Sequence, residues 1–380
     1  AIPLLAEEPR VSKEGNGWVE VITGTVNPAK IVKINTDAGS VSATGGDTQN
    51  ITWVVNKRSY TRNENEARRQ FAEFSVKPVT RPDYIVLEGN YRGSNRGLDV
   101  QISVTLPRNT TLLKVETRGG AVNVNNVAGK VDTATLGGNI RLSGVGGPTL
   151  ARTSGGSIDV GEAGGELRLE TSGGSISVGS ATGHVLARTA GGSVKLGSAP
   201  NAVLETAGGN IQVDKCSGEL KASTAGGNLN IGQVEGPATL ETSGGSIHLG
   251  SAKGVVKATT SGGGIHLNHL AYGAVARTAA GPITTEFVAQ KGNFSDSVLE
   301  TSVGDVVVYL PSDLAVTVKA TIENAAGHTI RSDFPEVKVN KSGGDYGPAE
   351  VYGQGAINGG GPLLKISTTS GNIELRRGGH

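Results

Sequence analysis

Three histidines carry the first chemical signal in the sequence. His248 and His266 are 18 residues apart, and His269 follows three residues later. Imidazoles at equivalent positions of a repeat could hold a transition metal. No carboxylate or cysteine joins them, so they stand as weak metal candidates, and neither a resident metal nor a cofactor is expected. Acid–base chemistry has less to work with. Asp159 and Asp214 are isolated along the chain, and no two acids lie close enough to share a glycosidic bond. Only loops at residues 60–100 or 325–350 remain as a source of paired acids. Asp159 closes the phrase Gly155-Gly156-Ser157-Ile158-Asp159, which lacks the second glycine of a calcium-binding β-roll, and the aspartate does not recur. Cys216 is the single cysteine. It fills a row otherwise made of Ala163, Ala181, Ala199, Val234 and Ala252, and reads as a small buried hydrophobe rather than a nucleophile.

The elements that position these residues repeat. A phrase such as Thr153-Ser154-Gly155-Gly156-Ser157-Ile158 recurs along the chain, led by Thr117, Thr135, Thr153, Thr171, Thr189, Thr206, Thr224, Thr242, Thr260 and Thr278. The spacing is 18 residues at every step but one, where it is 17. Weaker copies begin at Thr36, Thr301 and Thr368. A strict period of this length predicts stacked coils. Apolar and polar residues alternate on both sides of each Gly-Gly pair, which is the period of a strand. The Gly-Gly pair reads as a turn that exploits positive φ. The expected fold is therefore all-β: a single-stranded parallel β-helix with about 18 residues per coil, rising about 4.8 Å per coil.

Interior rows follow from the alternation. Two residues before each threonine stand Ala151, Leu169, Ala187, Leu204, Ala222, Leu240 and Ala258. Where this row is small, the row two residues earlier is large: Val185 goes with Ala187, and Ala202 with Leu204. Such pairs keep the packed volume nearly constant. The threonines themselves fall on the inward side and predict a structural ladder at a corner. On the outward side Arg152, Glu170, Arg188 and Glu205 alternate in sign, which predicts an electrostatic ladder that fixes register, at about 0.2–1 kcal/mol per pair. Another outward row carries Leu150, Leu186, Val203 and Val275, a candidate lateral contact between rods.

Three regions are expected. Residues 1–116 form a β-rich arm and cap, with a short helix over 63–72 capped by Asn63. Residues 117–300 form the regular solenoid. Residues 301–380 form less regular coils, ending in a last coil that contains Thr368. An extended arm carrying Ile2, Leu4, Leu5 and Val11 is positioned to add to a neighbouring subunit by strand addition; folding back on its own solenoid is the alternative.

Composition excludes several classes. The 380 residues hold 59 glycines, 4% aromatics and no methionine, with a net charge of +1. That balance offers nothing to nucleic acid. No apolar run is long enough to span a membrane as a helix. The start, Ala1-Ile2-Pro3, fits a chain trimmed after a small residue, as in secreted proteins.

The repeat and the closing passage together resemble a bacterial putative-adhesin family of unknown function, β-solenoids related to the heads of autotransporter-like adhesins. The passage runs Asp305-Val306-Val307-Val308-Tyr309-Leu310-Pro311, then Ser332-Asp333-Phe334-Pro335, then Gly359-Gly360-Gly361-Pro362-Leu363. It ends Thr368-Thr369-Ser370-Gly371-Asn372-Ile373-Glu374-Leu375-Arg376. The resemblance implies a secreted or surface solenoid, right-handed, and brings no catalytic residues. The expected function is thus a non-enzymatic extracellular structural protein, a filament subunit whose main partner is itself. A monomeric surface adhesin that binds glycan or protein is the second reading, and a polysaccharide-active enzyme the third.

Overall fold

The computed structural model describes residues 5–6, 8–93, 97–290, 292–343 and 349–378. They form two compact units, Ala1–Thr189 and Ala190–His380. Both are all-β, apart from one helix in the first.

Within the first unit each coil contributes one strand to each of two parallel sheets. One sheet is built from strands that end in the repeated threonine: Ile31–Thr36, Leu112–Thr117, Lys130–Thr135, Thr149–Thr153, Leu167–Thr171 and Val185–Thr189. We call it the threonine sheet. The opposite sheet holds Ser40–Gly46, Val122–Asn125, Ile140–Ser143, Ile158–Ala163 and Ile176–Ala181. The second unit repeats the plan. Its threonine sheet runs from Ala202–Thr206 to Ser297–Val303, and its opposite sheet from Val194–Ala199 to Val306–Pro311. Every paired strand is displaced by one coil, so equivalent residues stack: Thr36 on Thr117, Thr117 on Thr135, Thr206 on Thr224. The coil predicted from the period is the coil observed. The small-large rows also lie where the alternation put them, with Ala151, Leu169, Leu204, Ala222, Leu240 and Ala258 all buried.

Two side-chain ladders close the Gly-Gly corner. The inner one is the threonine row. Thr171 Oγ1 donates to the Gly156 carbonyl of the preceding coil at 2.7 Å and accepts from the Gly174 N–H of its own turn at 3.4 Å. The pattern repeats at Thr135, Thr153, Thr206, Thr224, Thr242 and Thr260. Each hydroxyl thus satisfies two buried backbone groups that a valine would leave unpaired. The outer ladder uses the residue after Gly-Gly. Asn139 Oδ1 accepts from Ser157 N, Ser157 Oγ from Ser175 N, and Asn228 Oδ1 from Ser246 N.

The glycines are needed for a different reason from the one their sequence suggests. None of Gly155, Gly156, Gly173, Gly174, Gly244 and Gly245 adopts a positive φ. Instead, the second glycine of each pair sits directly over the corner below. A Cβ on Gly174 would lie 2.1 Å from the Gly156 carbonyl oxygen, whereas one on Gly173 would lie 3.5 Å from its nearest neighbour. Close stacking, not left-handed backbone, selects the second glycine.

Both ends depart from sequential order. In the first unit, Ile31–Thr36 lies between Leu112–Thr117 and Tyr84–Tyr91, so the earlier segment is the inner coil. In the second unit, Leu363–Ser370 and Ile373–Gly378 lie between the coil of Ser297–Pro311 and that of Val316–Ser332. The coil containing Thr368 is therefore not the last in the stack, as its position in the chain suggested, but is clamped between two others. Antiparallel strands then cover the ends. The helix Glu64–Ala72 sits in the first cap, with Asn63 Oδ1 accepting from Asn65 N and Glu66 N as its sequence predicts.

At the first end the described part of the arm follows the fold-back alternative. Arg10–Glu14, which carries Val11, pairs antiparallel with Gly17–Val26 through a two-residue turn at Gly15, whose φ is +59°. Leu5–Ala6 pairs with Gly24 and Thr25 of the same strand. A tight hairpin is closed by local contacts, which keeps the cost of loop closure low. Ile2 and Leu4 lie outside the described residues. The outermost described strands of the threonine sheets carry the features that discourage further pairing. Phe74–Thr80 contains Lys77 and Pro78, and Lys338–Ser342 contains two lysines and is exposed throughout.

Candidate functional site

The outward face of the opposite sheet carries the most regular array of polar side chains. In the second unit Gln212, Asn230, His248, His266 and Thr284 occupy equivalent positions on five successive strands. They stand about 4.8 Å apart, the strand spacing. Two residues further along each strand the positions are Asp214, Gly232, Gly250 and Asn268. A Cβ on Gly232 would meet the Asp214 carbonyl at 2.4 Å, and one on Gly250 the Gly232 carbonyl at 2.6 Å. Close stacking again demands glycine, and here it leaves a floor without side chains beside the polar row. The result is an open groove of about 370 Å³ lined by Gln212, Asp214, Asn230, His248 and Asn268. Gln212 Nε2 donates to Asp214 Oδ1 at 3.1 Å, which orients the amide at one end.

The histidines divide. His248 and His266 stack face to face, with parallel rings and centroids 4.9 Å apart. Burial and the neighbouring His248 push the His266 imidazolium below its ordinary pKa, favouring the neutral ring. Parallel stacked rings direct their nitrogen lone pairs side by side rather than toward one point. His269 is elsewhere. It lies in a bulge with φ +49°, where Nδ1 is 3.5 Å from Glu286 Oε2. Among the described residues no three His, Cys, Asp or Glu side chains are placed to hold a metal ion. The 18-residue period places His269 in the row of Lys215, Gln233 and Ser251, apart from His248 and His266.

The first unit has a counterpart on its own opposite sheet. Ser42, Asn123, Arg141, Asp159 and Ser177 stack in register, and a groove of about 430 Å³ is lined by Asn123, Asn125, Arg141, Ser143, Asp159 and Gly161. Arg141 Nε lies 3.7 Å from Asp159 Oδ2, so this face is an ion-paired version of the same geometry.

Two residues of the predicted charge ladder, Arg152 and Glu170, have acid–base partners of their own. Arg152 stacks on Glu170, and Glu170 on Arg188, in backbone register. Yet Arg152 Nη2 reaches Asp132 Oδ1 at 3.7 Å, while Glu170 Oε1 takes Arg168 Nη2 at 2.8 Å, two residues away on its own strand. Here the partner is the one the rotamer reaches, whereas Arg277 pairs at 3.1 Å with Glu300 directly opposite. Glu205 occupies the equivalent outward place in the second unit. Leu150, Leu186, Val203 and Val275 are half-buried, each in the outward row of its threonine sheet.

Nothing in these arrays builds a nucleophile. Cys216 is buried, stacked on Ala199 and Val234, and burial pushes its thiol pKa up. One serine–histidine contact exists, Ser370 Oγ with His328 Nε2 at 3.1 Å, but His328 has no carboxylate partner among the described residues. What the groove can do is bind. Planar amides and imidazoles at strand intervals offer donors and acceptors to an extended ligand lying across the strands.

Residues 29–273 match the Toastrack DUF4097 family. Among solved structures the chain is similar to a putative cell adhesion protein from Clostridium sporogenes ATCC 15579, with 11% identity and a TM-score of 0.18 over 98% of this chain and 100% of that one. It is also similar to a putative adhesin from Bacteroides fragilis NCTC 9343, with 10% identity and a TM-score of 0.24 over 93% and 96% of the two chains. For a putative adhesin from Parabacteroides distasonis ATCC 8503 the values are 15%, 0.26, 73% and 92%. No curated protein matches. The family match agrees with the resemblance carried by the repeat, covers well over half of the sequence and runs through the coils marked by Thr36 to Thr260: the chain belongs to the Toastrack DUF4097 family.

Proposed function

We propose that this protein is a non-enzymatic, surface-exposed or secreted recognition module, adhesin-like in role, and that it binds a neutral polysaccharide across the strands of the second unit. The observation that carries this reading is the row Gln212, Asn230, His248 and His266 beside the glycine floor. A polysaccharide chain presents hydroxyls at regular intervals, and the row presents hydrogen-bonding groups at the coil interval. Neutral His266 can accept as well as donate, which suits hydroxyl partners better than a cation would. End-to-end filament growth has less support. The arm that would donate a strand is engaged within its own chain, and the outer strands carry lysine and proline.

A polysaccharide array tests the reading. The wild-type chain is expected to retain at least one neutral polysaccharide. The N230A/H248A variant, whose changes are outward and leave both ladders intact, is expected to bind it about tenfold or more weakly, a loss of about 1.4 kcal/mol, with an unchanged melting temperature. Retention of full affinity by the variant, or binding of no polysaccharide by the wild type, overturns it.

A further inference from the structure

A second face of the molecule carries lysines that no acid among the described residues pairs with. It lies on the threonine sheet of the second unit, where Ser297–Val303, Leu363–Ser370, Val316–Ile322, Glu350–Ile357 and Lys338–Ser342 run side by side. Across these strands one outward row reads Val298, Lys365, Lys319, Gln354 and Lys338 in backbone register. Lys365 and Lys319 are direct neighbours, and all three lysines are exposed. None has an acidic partner among the described residues.

Elsewhere on the threonine sheets several cations have an acid beside them, although Lys33, directly opposite Lys114, and Lys130 have none among the described residues. Lys114 is 2.8 Å from Glu116, Lys221 2.8 Å from Glu219, Lys257 2.8 Å from Glu241 and Arg277 3.1 Å from Glu300. Like charges directly opposite one another destabilise a sheet. Protection of an edge accounts for lysine on the outermost strand, Lys338–Ser342. It does not account for Lys365 and Lys319, which sit on interior strands and have no edge to protect.

The row two residues along supplies what the lysines lack. It reads Glu300, Ser367, Thr321, Tyr352 and Asn340, again in register, with Glu300 held by Arg277 at 3.1 Å. Ser367 Oγ is buried and has no hydrogen-bond partner. Hydroxyls, an amide and a half-buried phenol ring therefore flank the adjacent Lys365 and Lys319 and, beyond Gln354, Lys338. Cations at strand intervals match a polymer with regularly spaced carboxylates or sulfates, while a tyrosine and neutral donors match sugar rings.

We propose that this face is a docking surface for an acidic polysaccharide. It is distinct from the groove of Gln212, Asn230 and His248, which lies on the opposite sheet, and does not depend on that groove binding anything.

Binding of the full chain to immobilised polygalacturonate and to heparin, at low and high salt, tests it. Dextran, duplex DNA and phosphatidylserine vesicles serve as comparisons. The wild type is expected to bind at least one of the two acidic polysaccharides at low salt, more tightly than DNA or vesicles, and to release it at high salt. K319Q/K365Q is expected to lose about tenfold in affinity while melting at or above the wild-type temperature, because a repulsive pair has been removed. K221Q/K257Q changes net charge equally at paired lysines and is expected to bind as wild type. N230A/H248A is likewise expected to keep its affinity for the acidic polymer, so failure of the neutral-polysaccharide reading remains distinguishable. Equal losses in the two lysine double variants, unchanged binding by K319Q/K365Q, absence of binding at low salt, or tighter binding to DNA or vesicles would each overturn the proposal.

Discussion

Gly245→Ala is expected to destabilise the second unit by roughly 3 kcal/mol or more, at the upper end of what overpacking a rigid site produces, whereas Gly244→Ala changes stability by no more than about 0.5 kcal/mol. The two residues are adjacent, share a turn and have ordinary φ angles, so propensity does not separate them. Stacking does. A methyl on Gly245 would lie 2.0 Å from the Gly227 carbonyl oxygen and 2.5 Å from its carbon, both backbone atoms held by the coil below. A methyl on Gly244 would lie 3.5 Å from the Gly226 oxygen, an ordinary contact. Relief at Gly245 requires prising two coils apart, which also breaks the hydrogen bond from Thr242 Oγ1 to the Gly227 carbonyl. Urea denaturation of the two variants measures the contrast. Equal midpoints would show that close stacking does not select the second glycine.

The second large effect is expected in the first cap, where a charge is buried. The Lys57 side chain is 4% exposed, and Nζ lies 2.6 Å from Glu20 Oε2 and 2.9 Å from the Phe71 carbonyl. Glu20 and Lys57 face each other on antiparallel strands, and Phe71 belongs to the helix. One ammonium thus ties helix to sheet. Removing its counter-ion leaves a desolvated charge, so Glu20→Ala is expected to destabilise by about 3–5 kcal/mol. Replacing both residues by apolar ones of similar volume, E20L/K57M, restores most of that loss, because the desolvation of both ions disappears together. A double-mutant cycle read by chemical denaturation checks both statements. A cost below about 1 kcal/mol for the single variant would place the pair among ordinary surface ion pairs.

Much of this fold was legible in the sequence because its determinants recur at a constant interval. The threonine spacing set the lap, the alternation set which residues face inward, and the small-large pairing of Ala202 with Leu204 or Val185 with Ala187 set the interior volume. The capping of the helix by Asn63 was equally local. Three things were not legible. The end coils are threaded out of order because Thr36 meets Thr117 and Thr301 meets Thr368 across long insertions, and no local pattern reports such a long-range pairing. The outer corner ladder was visible as an unbroken choice of Ser or Asn at positions 139, 157, 175, 193, 210, 228 and 246, but its backbone partner lies one coil away. The partner of Glu170 was not legible because register places Cα atoms and not guanidinium groups: Arg168 reaches Glu170 along its own strand. The candidate groove shows the same division. Its polar row stacks as the 18-residue period requires, while the register shift against Ile283–Phe287 beside His269, which has φ +49°, was not legible.

The most direct test of the architecture is to remove one lap. Deleting residues 243–260 joins Thr242 to Ser261-Gly262-Gly263, so the turn phrase is preserved and every later coil moves down by one step. Deleting residues 243–251, half as many, places strands of one sheet where those of the other belong and turns the interior row outward. Thermal unfolding followed by circular dichroism is expected to show a cooperative transition with a wild-type β spectrum for the full-lap deletion and none for the half-lap deletion. Two deletions that behave alike would contradict a chain wound in stacked laps of eighteen.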